Sequence, residues 1–330
     1  MKHPIHKQGH GPKHGKHHWR RHRRRGGSYG SAAWPWSYPP DSDNDSQDDD
    51  DDDDSQEVQA APDGAKGCLE DRCTSDYIAW VQQSLIQLGT NLKVTRVLDR
   101  NTITAINAFK ARHGVPGREY YASPVLEQAL LKAGAAPPPT VRRLPCGPTP
   151  IRDLVPLLNK YRGDIPIHYL LAWITVESGG KLGDLTKLCE RGYFQVHPEE
   201  SQDLQLDHDR LSTDPDYSVA GGIKLVRLYA AGVEKLAQQY GLPRGGDLYW
   251  GLLKLRHWIP SAPIRILLRM QQDKVPIATW DGIRKYVSSN PQLGFGGFDP
   301  RAGIKSVDNY LAVAARWWLA LNKAAAPTTK

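Results

Sequence analysis

IPIHYLLAWITVESGG, residues 165–180, is the stretch on which the fold turns. Its apolar residues run nearly all the way round a helical turn, which predicts a helix with Ile167, Leu170, Leu171, Trp173 and Ile174 in the core. Gly179 and Gly180 break the pattern just after Glu177 and Ser178. A carboxylate half buried at the end of an apolar helix has its charged form disfavoured, as a general acid at neutral pH requires. On its own, a Glu at a helix end is more often solvated or a capping group.

Working outward, residues 151–323 read as mostly helical. IRDLVPLLNKYRG predicts a helix closed by Gly163, and SVAGGIKLV, from Ser218, a small-residue turn that opens another apolar helix. IPSAPIRILLRM, TWDGIRKYVSS and SVDNYLAVAARWWLALNK read as further helices, with Trp317 and Trp318 as core or interdomain contacts. GFGGFDP, 294–300, is a turn-rich loop placed to rim a cleft, and 324–330 is a short tail. The Arg162-Gly163-Asp164 tripeptide is a helix end plus a turn rather than an adhesion signal.

Before the proline-rich stretch APPPTVRRLPCGPTP, 136–150, read as a semi-rigid linker, lies a segment of three short helices within 67–135. The first places Ile78, Val81, Leu85 and Leu88 at helical spacing and stops at Gly89. The second carries Ile103, Ile106 and Phe109 and stops at Gly114. The third has Ser123 as N-cap, Pro124 at its first position and Gly134 beyond its end.

Residues 1–66 are His- and Arg-rich, then Asp-rich, with too little apolar surface to offset ordering entropy, and are expected to be disordered. Seven histidines fall within the first twenty-two residues, so adventitious metal binding is expected there, and no catalytic metal. Residues 1–67 hold 10 basic against 12 acidic side chains, which leaves 33 against 24 beyond them; the net charge of +7 therefore belongs to the remainder and suits an anionic polymer. No window approaches the roughly 18 apolar residues of a membrane span. No apolar run follows the basic N-terminus, even at the twin Arg20-Arg21. Cys68, Cys73, Cys146 and Cys189 are too few and too irregular for a disulfide scaffold or a zinc site; a Cys68–Cys73 bridge and four free thiols both stay open.

Two ordered sets of residues carry family resemblances. WVQQSLIQLG, TAINAFKARHGV and SPVLEQAL resemble the peptidoglycan-binding domain found beside many cell-wall enzymes, although the turns read VLDRNT and REYYASP where that family usually has Asp-Gly and a further Gly. A three-helix module that only packs or spaces is the alternative. Glu177-Ser178, then Gly192-Tyr193-Phe194-Gln195-Val196-His197-Pro198, then the stretch from Ser218, resemble the lytic transglycosylases of the lysozyme-like superfamily. Gln195 follows Glu177 by eighteen positions, as that pattern requires.

The resemblance implies a mainly α chain with a lysozyme-like catalytic domain that cleaves peptidoglycan glycan strands and forms 1,6-anhydromuramic acid. Glu177 would be its acid and base, and Ser178 would shape the pocket. Gly192 to Gln195 would line the cleft, with Gln195 on the N-acetyl groups and Tyr193 or Phe194 on a sugar face. Ser218 stands where the family usually has Asn, and the Ala-Tyr-Asn-Ala-Gly motif is absent from LYWGLLKLRHWIPSAP, where Tyr249, Arg256 and His257 are candidates for the missing tyrosine.

A hydrolytic muramidase is the nearest rival. It needs a second carboxyl about 5–5.5 Å or about 6.5–9.5 Å away. Among Asp184, Glu190, Glu199 and Glu200, Glu190 is the candidate. A catalytically inactive wall-binding protein is the third reading. A monomer without cofactor, working in the cell envelope or secreted, is expected, and the ordered segments hold no base-reading motif for nucleic acid.

Overall fold

A computed structural model describes residues 69–116, 123–186, 188–291, 293 and 299–325. The His/Arg-rich and Asp-rich segments, Cys68, and most of the 294–300 loop and of the C-terminal tail lie outside the described residues. The described chain is mainly helical, with eleven α-helices and one two-stranded ribbon.

The three N-terminal helices are α1 (Ser75–Gln87), α2 (Arg100–Arg112) and α3 (Pro124–Lys132). Their N-caps are Thr74, Asp99 and Ser123, each accepting a hydrogen bond from a backbone N–H of the first turn. Tyr77, Ile78, Val81, Leu85, Ile106, Phe109, Leu126 and Leu130 meet in one core, whereas Leu88 and Ile103 are only partly buried at its edge. Gln82 is fully buried, and its amide ties down the α1–α2 loop through Thr95, Arg96, Val97 and Thr102.

The second core gathers around α5 (Ile167–Glu177), in which Leu170, Leu171, Trp173 and Ile174 are fully buried and Ile167 is partly so. A 3-10 turn at Ile151–Leu154 leads into α4 (Val155–Tyr161), so the expected first helix is shorter and starts tighter. α6 (Pro198–Asp203) is followed by α7 (Pro215–Tyr240) and α8 (Gly246–Trp258). α9 (Ala262–Gln272), α10 (Trp280–Ser289) and α11 (Pro300–Ala325) complete it. α5 lies against α11 and α4, and α7 against α8 and α4; side chains of α5 and α8 meet at Tyr169 and Trp250.

Three expectations are corrected. The SVAGG stretch is no turn: it lies inside α7, whose N-cap is Asp214. Its glycines serve close packing, since a Cβ on Gly222 would stand 2.0 Å from the Phe194 ring and one on Gly221 2.7 Å from Leu211.

The 136–150 stretch is no free spacer. β2 (Arg142–Arg143) within it pairs antiparallel with β1 (Glu70–Asp71), and Leu144 is buried.

Cys73 is bonded to Cys189, not Cys68, across a sequence separation of 116 and with a Cα–Cα distance of 5.6 Å; Cys146 is also disulfide-bonded. Folding brings Cys73, at the entry to α1, against the loop that precedes Gly192, a proximity no spacing along the chain announces. Two residues away on each side, Asp71 meets Arg191; both side chains are fully buried, with 2.5 and 2.9 Å hydrogen bonds. Arg142 adds a 2.8 Å bond to the same carboxylate.

Candidate functional site

Glu177 is the last residue of α5, and its side chain keeps 22% exposure at the open end of that buried helix. Behind it, Ser178 is buried and acts as a clamp: its hydroxyl donates to the Tyr193 carbonyl at 2.9 Å, and the backbone N–H of Gly180 donates to it.

Residues 192–195 form a tight turn closed by paired backbone bonds between Arg191 and Val196. Gly192 adopts φ +73°, and a Cβ there would stand 2.4 Å from Ser218 Oγ and 2.7 Å from the Leu211 carbonyl, so only glycine fits. Ser218 accepts from the Tyr193 N–H at 3.0 Å. The turn is thus held between two serines, one on α5's end and one on α7. Both buried hydroxyls are used in fixing the Tyr193 backbone.

Tyr193 and Phe194 are fully buried, so neither ring presents a face for sugar stacking. The Tyr193 hydroxyl pairs with Thr149 at 3.0 Å, and Phe194 packs between Trp173 and the Gly222 backbone. Gln195, 1% exposed, turns its amide N–H onto the Gly192 carbonyl at 2.8 Å, and its Oε1 has no hydrogen-bond partner among the described residues.

Of the three candidates on α8, the fold brings one to Glu177. His257 Nε2 lies 3.4 Å from Glu177 Oε1. Tyr249 instead faces Glu234 and Arg244, and Arg256 lies against the Gly232 backbone and the Pro260 carbonyl. Burial, and then the charge of Lys254, push the His257 imidazole well below its ordinary value, so it is neutral at physiological pH.

The residue that the sequence reading missed is Lys254. Its side chain is 2% exposed, and its ammonium donates to Glu177 Oε1. It lies 4.2 Å above the Trp173 ring and 5.8 Å from that of Tyr310 on α11. The signal was a lysine in the helical run Leu252-Leu253-Lys254-Leu255, where a charge survives burial only if paired.

Next to this pair sits a second polar cluster. Tyr229 on α7 packs edge-on to His257, with ring centroids 5.4 Å apart, and its hydroxyl donates to Glu200 Oε1. Glu200 also caps α6 by accepting from the His197 N–H at 2.9 Å. Burial pushes the Glu200 carboxyl up to about 7. Glu190, partly buried beside the 192–195 turn, accepts from Thr186 at 2.7 Å, and burial raises its carboxyl as well. Glu199 accepts from the Arg100 N–H at 3.1 Å, joining α6 to the start of α2, and Asp184 is partly buried.

Among the described residues no group of three or more His, Cys, Asp or Glu stands close enough to hold a metal ion, and no helix is long and apolar enough to cross a membrane. Comparison with family models, curated proteins and solved structures found no match to this chain.

Proposed function

We propose that the chain is a peptidoglycan-cleaving enzyme, a lytic transglycosylase with a lysozyme-like catalytic domain over 151–323 and a wall-binding three-helix module before it. The observation that carries this reading is the Glu177 carboxylate, solvent-reachable at the end of a buried helix and next to a turn fixed by Ser178 and Ser218. Glu177-OH would protonate the oxygen linking C1 of N-acetylmuramic acid to its neighbour, and the C1–O bond would break with its electron pair on that oxygen. Glu177, now a carboxylate, would take the proton of the same sugar's C6 hydroxyl as O6 bonds to C1 and closes the 1,6-anhydro ring. One carboxyl suffices for both transfers, and the net proton count does not change.

The basic balance of the chain beyond residue 67 suits the anionic wall, and the Cys73–Cys189 bridge suits work outside a reducing cytoplasm. A hydrolytic muramidase is the second reading, favoured by the raised Glu190 carboxyl beside the turn.

Mass spectrometry of soluble products from purified peptidoglycan separates the readings. Anhydro-muropeptides from the wild type and none from Glu177→Gln are expected. Reducing-end products would move the reaction to hydrolysis and to Glu190, and wall binding without any product from the wild type would make the protein a binder.

A further inference from the structure

We propose that Lys254 is the positioning residue for the proton of this site: from behind the open end of α5 it shares with the Glu177 carboxyl the one proton that bond cleavage passes on. The inference rests on the reading of Glu177 as acid and base.

The geometry divides the pair into an inner and an outer member. Lys254 is 2% exposed and Glu177 22%, so a substrate reaches the carboxyl and never the ammonium. The lysine is held from two helices besides its own. Trp173 and Glu177 lie one turn apart on α5, with the ring 4.2 Å from Nζ, and Tyr310 of α11 lies on another side at 5.8 Å. Other titratable groups facing the pair are His257 on α8, neutral, and beyond it Tyr229 of α7, whose partner is Glu200; His257 in turn lies close enough to the buried His197 to help lower its imidazole. The hydrogen-bonded carboxylate that faces Lys254 is Glu177.

Burial drives the Lys254 ammonium well below its ordinary value, and a carboxylate in hydrogen-bond contact with it, as Glu177 is, favours its charged form. In direct hydrogen-bond contact, the two groups titrate as a pair and hold one proton between them. With water present at Glu177 the pair is ionic. A glycan strand that covers Glu177 removes that water, raises the cost of two separated charges and favours transfer from Nζ to the carboxyl. The neutral acid so formed is the species that protonates the leaving oxygen. Afterwards the carboxylate takes the C6 hydroxyl proton, and the pair again holds one proton.

The test is the pH–rate profile on purified peptidoglycan for the wild type, Lys254→Met, Lys254→Arg and Glu177→Gln, with thermal melts as the folding control. In Lys254→Met the last proton belongs to the carboxyl alone, so the alkaline limb should move down by about one pH unit or more while the rate near its acid optimum stays within about tenfold of wild type. Arginine keeps the charge and the hydrogen bond but does not release its proton, so Lys254→Arg should lose about 10²-fold or more across the profile.

A lysine that only anchors the carboxyl predicts the reverse order, with Arg rescuing and Met failing; that order, or unmoved limbs in a folded Lys254→Met, overturns the proposal. A Glu177→Gln variant as active as the wild type would instead remove the reading of Glu177 itself. If the lysine variants do not fold, lysine 13Cε NMR of the wild type and Glu177→Gln decides. Loss of the Glu177 charge should lower the pH at which the Lys254 ammonium titrates, and an identical titration in both proteins would overturn the proposal.

Discussion

Replacing Asp71 by Asn tests what joins β1 to the turn that carries Gly192–Gln195. The Asp71 carboxylate accepts from both Arg191 terminal nitrogens at 2.9 and 2.5 Å, from Arg142 at 2.8 Å and from the Cys73 N–H at 3.2 Å. Without it, the fully buried Arg191 guanidinium keeps Ser212 Oγ at 2.6 Å and Asp209 at 3.6 Å. Removing one member of a buried ion pair leaves an uncompensated charge and costs about 3–5 kcal/mol. Two charge-assisted hydrogen bonds at about 1.5–3 kcal/mol each lead to the same range.

Guanidinium denaturation of the oxidised protein measures it, in a cycle of Asp71→Asn, Arg191→Met and the double variant. The double variant should be less destabilised than the sum of the singles by about 2 kcal/mol or more, because neither charge is then stranded. The pH dependence has a definite sign. Burial pushes the Asp71 carboxyl up, but the hydrogen bonds and charges of Arg191 and Arg142 outweigh it, and the folded value lies below the ordinary one. The wild-type advantage should therefore be complete above about pH 4, the unfolded value, and fade as pH falls through the depressed folded value. A single-variant loss under about 1 kcal/mol, or strict additivity, would refute this account of the latch.

Glu200 should act with the opposite sign. Its carboxyl is raised to about 7 from an ordinary 4.5, so the folded state keeps a proton that the unfolded chain releases, and stability declines as pH rises between those values before levelling off. The gap corresponds to about 3 kcal/mol, and in Glu200→Gln the drop in melting temperature from pH 5 to pH 8 should shrink; an unchanged drop would mean Glu200 is ionised in the fold. Gly222→Ala would drive a methyl into the Phe194 ring, 2.0 Å from the ideal Cβ position, and should destabilise by about 1–3 kcal/mol in chemical denaturation; a neutral effect would place Phe194 elsewhere.

The helices were legible where a local pattern suffices. Ser123 caps α3, Gly89, Gly114 and Gly134 take positive φ after their helices, and α5 ends on Glu177 with its apolar residues inside. Each depends on residues within a turn or two of one another, so the chain's own order carries the information. The glycine pair 221–222 was misread because a break and a close approach have the same local signature, and only the Phe194 ring against α7 distinguishes them. Tyr193 and Phe194 could face a groove or the core with equal local ease, and the two serine clamps turn them inward.

What tertiary structure alone decided is which distant groups meet. Cys73 with Cys189, Asp71 with Arg191, and Glu177 with Lys254 are separated by 116, 120 and 77 positions. Periodicity determines that a helix has a buried face, but not which other helix covers that face. The partner of a buried charge is fixed only when α5, α8 and α11 pack together, and that packing makes a lone glutamate into one half of an ion pair.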